Sequence, residues 1–245
     1  MPRYFIEVGY NGKCYAGFQK QENANTIQAE IEKALTIFFR TGFNLTGSSR
    51  TDAGVHAVQN FFHFDSDCIP DLTDQLKYVY PLNAILPRDI VVKSIRAVNA
   101  EAHCRFEARS RTYEYSLYRD KDPFLGSTAF FYPFALNKNL LDEVACEIKL
   151  QHNFATFSKR RTQVHSYICR IDASKWFYRD AVLVYSITAN RFLRGMVKGL
   201  VGTMLKVGRE KISPAAFSSI LQSADPSQAD FSVPSHGLTL VSVEY

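Results

Sequence analysis

Apolar residues recur at period two along much of this chain, broken by helical stretches in an order that a repeating strand–helix–strand fold does not produce. Arg3–Tyr10 alternates, with Tyr4, Ile6, Val8 and Tyr10 on one face, and Asn11-Gly12 then signals a turn. Ile27, Ile31, Ala34, Leu35 and Phe38 share one stripe, which predicts a helix over Thr26–Arg40. Thr26 or Asn25 would cap it, and Gly42 would end it. Strands are expected over Phe43–Thr46, Val58–Phe64 and Ile90–Val98, with a short helix over Leu72–Val79. The second half begins with alternation over Arg111–Arg119, where Tyr113, Tyr115 and Leu117 share a face. An amphipathic helix follows over Asn137–Leu150. Strands over Ile168–Tyr178 and Val182–Ala189 join at Arg179-Asp180. Helices are predicted over Phe192–Val207 and Ala215–Leu221, the latter after Pro214. Leu238–Tyr245 closes as a strand. This order indicates α+β. No repeat or linker separates the halves by composition, and the division is placed at 1–102 and 103–245.

The 245 residues are 46% apolar, enough for a packed core. With 19 Phe and 13 Tyr, rings can fill a core or stack on bases. The formal net charge of +5 suits a polyanionic partner without demanding one. Cys14, Cys68, Cys104, Cys146 and Cys169 are scattered, odd in number and form no C-x-x-C. Spacing therefore suggests neither a disulfide framework nor a zinc site, and a reducing cytoplasmic setting is expected. No apolar run approaches the ~18 residues of a membrane span, and the N-terminal residues show no signal-peptide pattern.

The densest chemistry lies in Gly47-Ser48-Ser49-Arg50-Thr51-Asp52-Ala53-Gly54-Val55-His56. Small residues permit a sharp turn and close approach to a ligand. An acid beside an arginine is held ionised, and a positioned carboxylate can act as nucleophile or base. A polar turn with a local ion pair explains the same residues.

The run from Arg50 to His56 resembles the signature of the tRNA pseudouridine synthase A family, G-x-G-R-T-D-A-G-V-H, with Ser49 where that pattern often has Gly. Further segments resemble the same family in order. Tyr10-Asn11-Gly12 with Tyr15-Ala16-Gly17-Phe18-Gln19 is similar to Y-D-G-x-x-Y-x-G-W-Q, with Phe18 for Trp. Asn83-Ala84-Ile85-Leu86-Pro87 with Asp89-Ile90 is similar to N-x-x-L-P-x-D-I. His103-Cys104-Arg105-Phe106 resembles H-A-R-F, Arg111-Thr112-Tyr113-Glu114-Tyr115 resembles R-x-Y-x-Y, and Phe154-Ala155-Thr156-Phe157 resembles F-x-x-F. Phe192–Gly202 resembles F-x-x-x-M-V-R-x-x-V-G, and Gly237-Leu238 with Leu240 and Val243 resembles G-L-x-L-x-x-V.

The resemblance implies two ferredoxin-like halves whose sheets join into one large mixed, mainly antiparallel sheet, with helices packed on it and a cleft between the halves. It implies isomerisation of uridine to pseudouridine in the anticodon stem-loop of tRNA, at positions 38–40, by a homodimer. No cofactor, metal or membrane is implied. Asp52 is assigned as the carboxylate that either attacks covalently or removes a sugar proton. Tyr113 would stack on the uracil or move a proton, although on pattern alone it reads more readily as core, on one strand face with Tyr115 and Leu117. Arg191, Arg194 and Lys198, spaced i, i+3 and i+7, are expected on one helix face. That face is either solvated or holds Lys198 where the family has a basic partner for the acid.

Arg50, with Thr51, would hold the target nucleotide out of the stack, unless Arg50 is only a structural partner of Asp52. Leu238 would line the pocket or the core, and Phe18 would keep an aromatic face beside the substrate. Lys159-Arg160-Arg161, Arg105, Arg109 and Arg111 are candidate phosphate contacts, which a solvated basic loop would also explain. Two alternatives stay open: a catalytically idle RNA-binding module, and a synthase of the same family with shifted target positions.

Overall fold

The computed structural model describes residues 1–69, 74–159 and 166–245. They fall into two compact units, Met1–Arg109 with Leu240–Tyr245, and Ser110–Thr239. The described elements are nine strands and five α-helices, an α+β chain. No helix among the described residues is long and apolar enough to cross a membrane.

In the first unit, β1 (Arg3–Tyr10) pairs antiparallel with β3 (His56–Asp65) and with β4 (Ile90–Val98). The two-residue β2 (Thr46–Gly47) adds to β3, with Thr46 opposite His63 and Gly47 opposite Phe62. Helix α1 (Ile27–Phe39) lies between β1 and β2, and α2 (Leu76–Ile85) between β3 and β4. The sequence β-α-β-β-α-β with sheet order β4-β1-β3-β2 is ferredoxin-like. Central β1 is covered on both faces. Ile6 and Val8 are fully buried, and so is Phe5 on the opposite face. There the Arg96 guanidinium stands over three rings, 5.5 Å from Phe5, 5.8 Å from Phe61 and 5.7 Å from Tyr245.

Local signals explain most boundaries. The Thr26 side chain accepts the Ala29 N–H and starts α1. The helix ends at Arg40, which takes a left-handed φ of 56°, and not at Gly42 as expected. Helix α2 runs past Val79 through Pro81 to Ile85, because Leu82 is buried and the Leu86 N–H still closes on Leu82 O. The start of the expected helix, at 72 and 73, lies outside the described residues.

In the second unit, β5 (Ser110–Tyr118) pairs antiparallel with β8 (Val182–Ala189), which pairs with β7 (Ile171–Arg179). The β7–β8 hairpin turns at Asp180-Ala181, with Asp180 at φ 53°. A short β6 (Phe130–Phe131), unforeseen in the sequence, runs parallel to β5 and makes the sheet mixed. Helix α3 (Lys138–Leu150), capped by Asn137, buries Leu141, Val144, Ala145 and Ile148, as an amphipathic helix does. Helix α5 (Pro214–Gln222) is capped by Ser213. The last strand, β9 (Leu238–Glu244), is divided, with Leu238 and Thr239 in the second unit and Leu240 onward in the first. Counting β9, the order β5-α3-β7-β8-α4-β9 repeats the ferredoxin-like sequence of elements.

One expectation fails in a way that matters for the site. Helix α4 covers Met196–Gly208 and does not begin at Phe192. Gly195 sits at φ +75°, a conformation that stops helical hydrogen bonding on its N-terminal side and that L side chains rarely adopt. Arg191 and Arg194 therefore precede the helix, and the basic stripe at i, i+3 and i+7 does not exist.

Candidate functional site

The segment 48–55 is a loop whose two ends are tied to neighbouring strands. At its start the Ser48 N–H donates to Phe61 O at 2.8 Å. Within it, Asn60 on β3 reaches across, its Nδ2 donating to Ser49 O at 2.8 Å and to the Tyr10 hydroxyl at 3.1 Å. The Tyr10 hydroxyl is in turn 2.8 Å from Thr51 Oγ1. Burial pushes the Tyr10 phenol well above its ordinary pKa, so it stays protonated and keeps its donor. From the other side the Phe18 N–H donates to Thr51 O at 3.1 Å.

The chain then turns. The Val55 N–H donates to Asp52 O at 3.1 Å, and Gly54 takes φ +77°, where a side chain would be strained. Beyond the turn, His56 is buried and its Nδ1 accepts the Gly12 N–H at 3.1 Å, which leaves the ring proton on Nε2. Thr51 is buried, Asp52 half-buried and Arg50 exposed. The backbone on both sides of the carboxylate is thus fixed by partners on three elements. This is the pre-organisation that a reacting group requires.

Phe18 is only 1% exposed, its ring stacked on Phe62 with centroids 4.4 Å apart. It packs under the signature loop and presents no open face. Tyr10, Asn60 and His56 emerge as positioning residues. Asn60 had a legible signal: it is a polar residue at an inward position of an apolar strand, and such a group needs a partner.

In the second unit, Tyr113 on β5 is 8% exposed and meets the Phe192 ring edge-on, centroids 5.0 Å apart. Phe192, expected on a helix face, lies in the segment leading into α4. Two residues along β5, Tyr115 is fully buried and donates its hydroxyl to Pro234 O at 2.7 Å. Tyr113 and Tyr115 thus share a strand face but have different neighbours. Lys198, in the first turn of α4, is half-buried, and its Nζ donates to Ser235 Oγ at 3.2 Å. Ser235 stands in the short turn before Leu238, itself 7% exposed. No signal in the sequence pointed to Ser235.

The Lys159 stem lies against Gly195, and its backbone N–H donates to Arg194 O at 3.0 Å, which places this lysine at the start of α4. Arg160 and Arg161 lie outside the described residues. Arg105 is exposed, with its guanidinium 5.7 Å over the Phe106 ring. Arg111 is only 9% exposed and donates to Asn190 O at 2.9 Å, a bond that fixes the end of β5.

Known proteins resemble this chain over its whole length. A family model described as tRNA pseudouridine synthase matches residues 7–107 and 151–245. A protein of Parabacteroides distasonis named tRNA pseudouridine synthase A is 42% identical over 100% of this chain and 96% of its own length. A Porphyromonas gingivalis protein of the same name is 40% identical over 100% of this chain and 98% of its own. One from Azobacteroides pseudotrichonymphae, also so named, is 38% identical over 100% and 97%. The matched spans contain Asp52 and its fixed loop, Lys198 and Leu238, and the chain belongs to the tRNA pseudouridine synthase family.

Proposed function

We propose that this chain isomerises uridine to pseudouridine in the anticodon stem-loop of tRNA, at positions 38–40. The observation that carries the reading is the Arg50-Thr51-Asp52 loop, held on both sides of its carboxylate by Tyr10, Asn60 and Phe18. In the reaction the bond from uracil N1 to the sugar breaks and the base rotates. A carbon–carbon bond then forms from C5 to the sugar, C5 loses its proton and N1 gains one. No electrons enter or leave.

Asp52 is the carboxylate that starts this sequence, by covalent attack or by taking a sugar proton. Tyr113 stacks on the flipped base or carries the C5 proton through its hydroxyl. Lys198 supplies a positive charge for the same reaction, held in place by Ser235. Arg50, exposed on the loop, keeps the nucleotide extruded.

Binding of the RNA rests on phosphate contacts, for which exposed Arg105 and Arg109 and the Lys159-Arg160-Arg161 run are suited by charge. Arg111 fits a structural role better, since it is nearly buried and one of its guanidinium N–H groups donates to Asn190 O. Working as a cytoplasmic homodimer is part of this reading, and light scattering at working concentration tests it. The decisive assay uses unmodified tRNA tritiated at uracil C5. Position-specific tritium release from the anticodon arm is expected. Binding without release would instead identify an RNA-binding module, and release elsewhere would identify a synthase with shifted targets.

A further inference from the structure

We propose that His63, His103 and Cys104 form a binding site for a zinc ion, separate from the residues assigned to uridine chemistry. One candidate ligand atom from each of these side chains lies within 4.8 Å of the other two. His63 Nδ1 and Cys104 Sγ are 3.1 Å apart. A tetrahedral ion with Zn–N of about 2.0 Å and Zn–S of about 2.3 Å needs donors roughly 3.5 Å apart, so small rotations of these side chains admit it.

The donors come from different elements. His63 is on β3, while His103 and Cys104 follow β4 in the segment before β5. His63 is 7% exposed, Cys104 is fully buried and His103 is half-buried. Two imidazoles and a thiol are the donor set of a borderline-soft transition ion, and unsuited to calcium or magnesium, which take oxygen ligands.

The surroundings hold the ligands in place. His103 and His63 rings meet edge-on with centroids 4.6 Å apart, and Phe106 covers the outer face of His103 at 4.2 Å. The His103 backbone N–H donates to the Glu107 carboxylate at 2.9 Å, which brings a negative charge beside the site. The Tyr245 hydroxyl donates to Cys104 O at 2.7 Å and Arg3 donates to Ala102 O at 3.0 Å, so the backbone carrying two of the ligands is itself anchored.

The Cys104 thiol is 3.2 Å from Thr46 O, and the Cys104 N–H points at His63 Nδ1 at 3.4 Å. Binding would exchange these two contacts, and the one between His63 Nδ1 and Cys104 Sγ, for metal bonds. The thiol proton leaves to buffer, sulfur ligates as thiolate, and solvent completes the coordination. Metal would tie the 102–106 segment to β3 and raise stability by linkage. The H-A-R-F pattern that this segment resembles has Ala where Cys104 stands, so the sulfur donor is a feature of this chain.

The test uses the full chain stripped with chelator and titrated with zinc, and separately with cobalt(II) as an optical probe. Expected are one zinc per chain by calorimetry, a zinc-dependent rise in melting temperature, and a sulfur-to-cobalt charge-transfer band. Cys104→Ala should fold, lose the band and lose the thermal shift. His103→Gln should keep the fold and bind at least ~10-fold more weakly. Wild-type protein that takes up no stoichiometric zinc overturns the proposal. A band that survives Cys104→Ala and disappears when Cys14, Cys68 and Cys146 are changed to Ser also overturns it.

Discussion

The loop that carries Asp52 and the approach to α4 that carries Lys198 make an instructive pair, because both were singled out by short motifs. The Asp52 loop is organised by its own residues and by strands on either side. Gly54 supplies the turn, Thr51 the buried hydroxyl and Asn60 the cross-strand brace. The approach to α4 looked like uninterrupted helix, yet Gly195 at φ +75° stops it and leaves Arg191 and Arg194 outside. A motif that contains its own punctuation keeps its meaning in the fold. A periodicity that runs across a glycine does not, because the period says nothing about backbone sign.

The sharpest way to break this comparison is at the carboxylate. Asp52→Asn should lower isomerisation by ~10³-fold or more while tRNA affinity stays nearly constant, since one charge among many phosphate contacts is removed. Parallel single-turnover and filter-binding assays measure both. Turnover near wild type, once deamidation is excluded, would remove Asp52 from the chemistry.

On the other region, Tyr113→Phe keeps the ring against Phe192 and deletes only the hydroxyl. A loss of about 10²-fold in turnover with unchanged melting temperature is expected if the hydroxyl moves a proton. An unaltered rate would limit Tyr113 to stacking. Lys198→Met should cost turnover about 10-fold or more, and Lys198→Arg should recover most of it. Equal activity in both variants would place Lys198 among the helix's structural contacts with Ser235.

Two stability measurements sharpen the contrast further. Tyr10→Phe leaves Thr51 Oγ1 and Asn60 Nδ2 each short of a buried partner and should cost about 1–3 kcal/mol by denaturant titration. Gly195→Ala forces a Cβ into a left-handed residue beside the Lys159 stem and should cost about 1–2 kcal/mol. If Gly195→Ala is neutral, the α4 start is not held by backbone conformation, and the contrast between the two regions weakens.

Several elements were legible because their signals are local. Arg3–Tyr10, Ile90–Val98 and Val182–Ala189 appear with the expected bounds, and Thr26, Asn137 and the Pro214 start behave as the capping rules require. The misses are equally physical. The β6 segment, Phe130-Phe131, is too short to show a period, and α1 ends at Arg40 because a non-glycine residue took the left-handed conformation. Phe18, expected beside the substrate, is buried on Phe62, since an aromatic residue in a motif does not declare which way it faces.

The sequence by itself determined the α+β class, most element bounds, the Arg50-Thr51-Asp52 segment and the family, because each is written in adjacent residues or in a local period. Only the tertiary structure decided which residues brace that segment. Tyr10, Asn60 and Thr51 meet through hydrogen bonds between positions 41 and 50 residues apart. The same holds for His63 and Cys104, which are 41 residues apart and belong to no spacing pattern, yet meet at 3.1 Å. Cysteine spacing could not reveal that cluster, because the fold brings a strand and a distant connecting segment together, and their separation along the chain carries no period.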